Sequence, residues 1–236
     1  MLLGKEVRRL RFVISFSGGK DSMLALHKMV EAGHRPMGLL VMMNEAAGRS
    51  WFHGVDPALL RAISDALGIP LMPCPAEGEG YHTAMEARLR EAQAAGAQAC
   101  VFGDIDIQPH LEWDRARCAA AGLEPVLPLW GRDRRENVRE AVALGYECVI
   151  KCLDRDLLPE RLLGRALSEA VLDEMEGCGV DLCGENGEYH TVVLDGPLFR
   201  RPVAYERREI LRFGHISAMD ITAAGGGGET EGRDLP

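Results

Sequence analysis

Short apolar runs alternate with amphipathic stretches through the first half of the chain. Arg11–Phe16 is a compact apolar run and reads as a buried strand. In the stretch 21–32, Met23, Leu26 and Val30 share one face and Gly33 acts as a stop, which predicts a helix. Pro36–Met43 reads as a second strand. Asp56–Leu67 reads as a helix, with Pro57 in its first turn and Gly68 at its end. Further strands are expected at Ile69–Pro73, Ala99–Ile105 and Pro125–Trp130, with helices over 81–95 and His110–Ala121. Such alternation predicts a parallel sheet with helices on both faces.

After Trp130 the rhythm changes. A charged helix is expected over 133–144 and a strand over 147–153. Leu158, Leu162, Leu163, Ala166, Leu167, Ala170 and Val171 then recur at helical spacing and predict a longer amphipathic helix. Val192–Leu194, Val203–Ile210 and Ile216–Ile221 read as short strands. The fold class expected is therefore α/β, with a first domain over 1–132, a smaller α+β domain over 133–222 and a disordered tail over 223–236.

Composition narrows the setting. Of 236 residues, 47% are hydrophobic and 27% charged, as in ordinary globular chains, and no apolar run is long enough to span a membrane. The charged N-terminus lacks a signal core, so a cytoplasmic protein is expected. Seven dispersed cysteines without a C-x-x-C pair read as reduced thiols, mostly buried. The net charge of −9 argues against a nucleic-acid partner, because phosphate contacts ask for a basic surface. A homodimer is compatible with all of this.

The sharpest local feature is Ser17-Gly18-Gly19-Lys20-Asp21-Ser22, between the first strand and the first helix. A loop there presents free backbone N–H groups to an anion. Gly18 and Gly19 allow close backbone approach, Ser17 and Ser22 add hydroxyls, and Lys20 adds a compact positive charge. Asp21 does not favour phosphate by itself, so it implies either a bridging Mg²⁺ or a helix cap. The spacing differs from the G-x-x-x-x-G-K-[ST] loop and from G-x-G-x-x-G.

A second constellation is Gly184-Glu185-Asn186-Gly187-Glu188-Tyr189-His190-Thr191, where two acids, a histidine and a threonine crowd a glycine-bracketed turn. Such a turn either aims Glu185 and Glu188 into one cavity or is a plain acidic turn. Asp104, after the fourth strand, either holds Mg²⁺ or caps the next helix. His53 is a phosphate or substrate contact, or a loop histidine. Met43 either offers its backbone to adenine or is core.

The loop at 17–22 resembles the SGGxDS loop of the N-type, or PP-loop, ATP pyrophosphatases. Together with the turn at 184–191, Asp195-Gly196-Pro197-Leu198-Phe199, Phe102-Gly103-Asp104-Ile105 and Pro128-Leu129-Trp130, it resembles the diphthine–ammonia ligase family. The resemblance runs from Arg11 to Phe199. Asn186, His190 and the segment Ser50–Gly54 depart from the eukaryotic and archaeal pattern, so the chain looks closer to the bacterial branch. The resemblance implies a Rossmann-like HUP domain and a substrate domain.

It also implies ATP and Mg²⁺ as cofactors, with a small-molecule or protein-borne carboxylate acceptor and ammonia as partners. The implied chemistry is adenylation of the carboxylate with release of pyrophosphate, followed by amidation. Lys20, Asp21, Glu188 and His190 are then the expected catalytic residues. Ser17–Ser22, Met43 and Asp104 would hold nucleotide, with Asp21 and Asp104 on the metal. His53, Glu185, Asn186, Glu188, Tyr189, His190 and Thr191 would meet the acceptor. The competing classes are a tRNA-modifying enzyme of the same loop type and a non-catalytic nucleotide sensor. The acidic charge argues against the first, and an intact Lys20-Asp21 with a second acidic site argues against the second.

Overall fold

The structure, a computed structural model, describes residues 9–50 and 53–225. Its first sheet holds β1 (Arg11–Ser15), β2 (Arg35–Asn44), β3 (Arg49–Ser50), β4 (Leu71–Ala76), β5 (Ala99–Val101) and β6 (Glu124–Val126). β1 lies between β2 and β5, and β4 and β6 flank them, all in parallel. β3 is a two-residue antiparallel addition at the end of β2. The chain steps from β1 to one side, through β2 and β4, then crosses to β5 and β6 on the other. The carboxyl ends of β1 and β5 therefore border a topological switch point, where open α/β sheets bind ligands.

Helices α1 (Lys20–Glu31), α2 (Pro57–Leu67), α3 (Tyr81–Ala94) and α4 (Gln108–Ala121) cover the two faces. The strand alternation decides which face each residue serves. Phe12 and Ile14 of β1 pack with Met23 and Leu26 of α1 and Leu59 of α2, whereas Val13 packs with Met85 and Leu89 of α3 and Cys118 of α4. Local chemistry sets the ends of α2. The Asp56 carboxylate accepts from the N–H groups of Ala58 (2.8 Å) and Leu59 (3.1 Å), Pro57 opens the helix, and Gly68 closes it at φ +68°.

α5 (Arg134–Ala143) leads to a second, antiparallel sheet. It contains β7 (Cys148–Asp154), β8 (Tyr189–Val193), β9 (Tyr205–Phe213) and β10 (Ile216–Ala223), in the order β8-β7-β10-β9. The larger core passes without a break from Phe12 and Leu24 to Val149, Val192 and Ile221.

The long amphipathic helix expected over 158–171 does not form. Its leucines are buried, but the segment holds a single 3-10 turn at Glu160–Leu162, and Gly164 takes φ +74°. Residues 164–167 then run along β7. The Ile150 N–H donates to the Arg165 carbonyl (2.9 Å), and the Gly164 N–H donates to the Ile150 carbonyl (2.8 Å). Helix α6 spans only Glu169–Glu176, with Ser168 as its cap. The spacing of the apolar residues was right for burial, but sheet pairing won over helix.

Two expected strands are shorter than drawn. β5 ends at Val101 and β6 at Val126, which leaves residues 102–107 as a loop beside the switch point. Ala223 belongs to β10, paired with Tyr205, and not to a tail. The rest of the expected tail, from residue 226, lies outside the described residues, as do Trp51 and Phe52. Among the described residues no helix is long and apolar enough to cross a membrane.

Candidate active site

A cavity of about 710 Å³ opens at the carboxyl ends of β1, β2 and β5 and reaches the turn before β8. The phosphate loop forms one wall. Gly18 sits at φ +81°, which only glycine adopts freely, and a Cβ there would lie 4.0 Å from Leu60 and from Phe16. Gly19 precedes α1 in extended conformation and gives it no side-chain cap. A Cβ on Gly19 would lie 2.6 Å from the His53 ring.

The first helical N–H, on Lys20, donates to Thr191 Oγ1 (3.0 Å). Among the described residues the next two, on Asp21 and Ser22, have no acceptor. Gly103 lies against them: a Cβ there would fall 2.8 Å from the Ser22 nitrogen. Two orphan amides, the Ser17 and Ser22 hydroxyls and a side-chain-free approach fit a polyphosphate.

Lys20 is buried. Its ammonium donates to Asp21 Oδ2 (2.7 Å) and to the Cys183 carbonyl, with the Tyr189 ring centre 5.3 Å away. Burial pulls its pKa down, but the Asp21 carboxylate more than offsets this and the net shift is well upward. The charge of Lys20 is thus spent largely on Asp21. Among the described residues lining the cavity, Lys20 is the sole Lys or Arg, against the carboxyls of Asp21, Asp104, Asp114 and Glu185. A polyanion enters such a cavity only with added cations.

The ligand atoms of Asp21, Cys183 and Glu185 lie within 4.8 Å of one another. The oxygen donors suit Mg²⁺; the thiol does not. Glu185 lines the cavity, and burial and the nearby Asp21 push it up to about 7. Of the two acids expected on a metal, Asp21 lies beside Glu185, and Asp104 is engaged with His110.

The acidic turn divides its residues between two uses. Glu188, assigned above to the acceptor, is buried and folds the turn. One carboxylate oxygen accepts from Asp181 N (3.1 Å) and Asn186 Nδ2 (3.0 Å), the other from Asn186 N (3.0 Å). Asn186 points the same way and also meets Arg134 (3.5 Å). Arg134 in turn holds Asp181 (2.5 Å) and grips Asp106 with two nitrogens (2.6 and 2.7 Å), tying the turn to the loop after β5. Neither Glu188 nor Asn186 is among the cavity-lining residues.

Tyr189, His190 and Thr191 do line it. The Tyr189 hydroxyl donates to the Leu182 carbonyl (2.6 Å). The His190 ring stacks on that of His53, with centroids 4.6 Å apart. His53 Nδ1 donates to the Thr191 carbonyl (3.0 Å), so Nε2 carries no proton in the neutral ring. Burial and the neighbouring His190 lower His53 to about 3, and burial also lowers His190. Both rings are neutral at physiological pH. Met43 is not at the cavity; Leu40, Val41 and Met42 are, and Met43 pairs with Ser50 of β3.

The far wall was largely invisible in the sequence. Asp104 Oδ1 accepts from His110 Nδ1 (2.9 Å), and burial outweighs this bond to raise the Asp104 pKa. Asp114 is 2% exposed; burial, then the charge of Asp104, pushes it up to about 9. Its signal was an acid on the buried face of α4, in line with Leu111, Cys118 and Ala121. Tyr81, Phe102 and Trp113 also line this wall.

Fold and site together define a nucleotide-binding α/β enzyme of the PP-loop type, with its phosphate loop between the first strand and first helix. The chain belongs to the diphthamide synthase family: the family profile "Diphthamide synthase N-terminal domain" matches residues 10–125 and "Diphthamide synthase C-terminal domain" matches 133–231. It is 29% identical over 224 residues to a diphthine–ammonia ligase of Danio rerio, covering 85% of this chain and 88% of that protein. It is 23% identical over 228 residues to the diphthine–ammonia ligase of Homo sapiens, covering 86% and 85%. As a member of this family the chain is an ATP-using ligase.

Proposed function

We propose that this ligase activates a carboxylate as its adenylate and then converts it to an amide with ammonia, the diphthine–ammonia ligase type of reaction. The acceptor carboxylate attacks the α-phosphorus of ATP, the bond to pyrophosphate breaks, and ammonia displaces AMP from the acyl carbon. The observation that carries this reading is the pair of unpartnered amides, Asp21 N and Ser22 N, at an uncapped helix start beside the switch point. The relatives named diphthine–ammonia ligase support the amide-forming half.

The chain's residues divide the work. The amides of Asp21 and Ser22 and the hydroxyls of Ser17 and Ser22 bind and orient the pyrophosphate end. Mg²⁺ would be held by Asp21 and Glu185 and would neutralise phosphate charge. His53 and His190, uncharged, present nitrogen acceptors without adding charge to the phosphate wall. The segment 1–132 serves nucleotide and 133–222 serves the acceptor, which approaches past Glu185 and His190.

Product analysis tests the reading. AMP and pyrophosphate are expected from turnover with an acceptor; ADP and inorganic phosphate would refute it.

A further inference from the structure

Two segments close in on the phosphate loop from opposite sides. The loop over 102–107 brings Gly103 against the Asp21 and Ser22 backbone. The turn before β8 carries Glu185 and the Cys183 carbonyl that accepts from Lys20. Arg134, the first residue of α5, bonds to both segments. Its guanidinium grips Asp106 through Nε and Nη2 (2.7 and 2.6 Å), and Nη1 donates to Asp181 Oδ2 (2.5 Å). Asp181 is the hub of the turn. Its Oδ1 accepts from Cys183 N (2.9 Å), its carbonyl from Gly184 N (3.0 Å) and its Oδ2 from Glu185 N (3.3 Å). Three successive amides thus take their places from one residue, whose carboxylate Arg134 fixes. That carboxylate is 13% exposed, so loss of Arg134 strands a largely buried charge without the cation paired to it. The planar fork also suits arginine alone, because one ammonium cannot span two carboxylates in this way.

We propose that Arg134 is a positioning residue of the ligase: through Asp181 it sets Glu185 beside Asp21, and through Asp106 it holds the Gly103 loop on the phosphate-loop amides. Arg134 is not among the cavity-lining residues, so it acts through these partners and not on the reactants. Its effect on the metal rests on the Mg²⁺ placement proposed above; its hold on the turn does not.

The test uses the full chain without ATP. Wild type, Arg134→Met, Arg134→Lys, Glu185→Gln and the double variant of Arg134→Met with Glu185→Gln are titrated with Mg²⁺ by calorimetry. Arg134→Met should weaken Mg²⁺ binding about tenfold, the scale of one charged hydrogen bond, and Arg134→Lys by less. The double variant should bind no more weakly than Glu185→Gln, because both changes act through one carboxyl. Arg165→Met, which removes an ion pair with Glu174 (2.8 Å) away from the cavity, is the control and should leave Mg²⁺ binding unchanged. Hydrogen exchange without metal is the second readout. Peptides over 182–188 and 102–107 should exchange faster in Arg134→Met, and those over 57–67 should not. If Arg134→Met does not fold, Arg134→Lys carries both measurements. Undiminished Mg²⁺ affinity in a folded Arg134 variant, while Glu185→Gln loses it, would overturn the assignment. Additive losses in the double variant or unchanged exchange over 182–188 would do the same. Equal Mg²⁺ affinity in Glu185→Gln and wild type would instead refute the metal placement, and exchange over 182–188 would then decide the role of Arg134 by itself.

Discussion

The phosphate loop and the acidic turn face each other across one cavity but are made in different ways. The loop at 17–22 works through its backbone: glycines, orphan amides and a helix start. The turn at 181–191 works through side chains, and most of them hold the turn itself. Glu188 gathers three N–H donors, Asp181 caps Cys183 N (2.9 Å), and Arg134 ties the turn to Asp106. Only some of its polar groups, Glu185 among them, are left for chemistry. A backbone site is read from glycines and context, whereas a side-chain site needs to be seen folded before structural and chemical acids can be told apart.

The sharpest break of this contrast is at Gly19. Gly19→Val would push a branched side chain into the His53 ring and the Thr191 carbonyl, 2.6 and 3.3 Å from the new Cβ. ATP affinity should fall by roughly a hundredfold or more, a loss of about 3 kcal/mol, in a chain that still folds. Nucleotide titration beside a thermal melt measures both; undiminished affinity would mean that the loop is not the phosphate site.

Next in size is the turn. Glu188→Gln replaces one acceptor oxygen by an NH₂ that meets the backbone N–H of Asp181 or of Asn186 head on. Stability should drop by roughly 1–3 kcal/mol while ATP affinity holds, seen by urea unfolding and nucleotide titration. Unchanged stability with lost acceptor turnover would return Glu188 to the chemistry.

A smaller effect concerns Glu185, which sits at about 7 in the metal-free chain. Below that pH a cation must displace its proton. Mg²⁺ affinity should therefore rise roughly tenfold per pH unit up to about 7 and level off above, and Glu185→Gln should flatten the profile. Calorimetric Mg²⁺ titrations at several pH values supply the check; a flat wild-type profile would move the ion elsewhere. The smallest change is Tyr189→Phe, which deletes the bond to the Leu182 carbonyl and should cost about 1 kcal/mol, measured by thermal unfolding.

Much of the first half was legible because strand and helix periods alternate cleanly and Gly and Pro mark their ends. The place of the loop was legible for the same reason: Gly and Ser stand between an apolar strand and an amphipathic helix. The segment 158–171 misled because period alone does not separate a helix from an apolar segment wrapped along a strand; Gly164 was the clue. Gly18 was read as making room for phosphate; it also takes a positive φ, which letters do not reveal. Glu185 and Glu188 look alike three positions apart, and only the positions of the Asp181 and Asn186 amides separate their roles. Asp114 could have been found as a charge on an apolar helix stripe.

The phosphate loop is stitched to β8 by two bonds, from the Lys20 N–H to Thr191 Oγ1 and from the Val193 N–H to the Gly18 carbonyl (2.8 Å). These partners lie 171 and 175 positions further along the chain (191 − 20 and 193 − 18). A growing polypeptide that has reached residue 132 owns every glycine of the loop but none of its fastenings. If the loop captures nucleotide as proposed above, capture waits in biosynthesis until β8 is made and docked. Until then the emerging chain lacks both bonds that tie the loop to its partner strand.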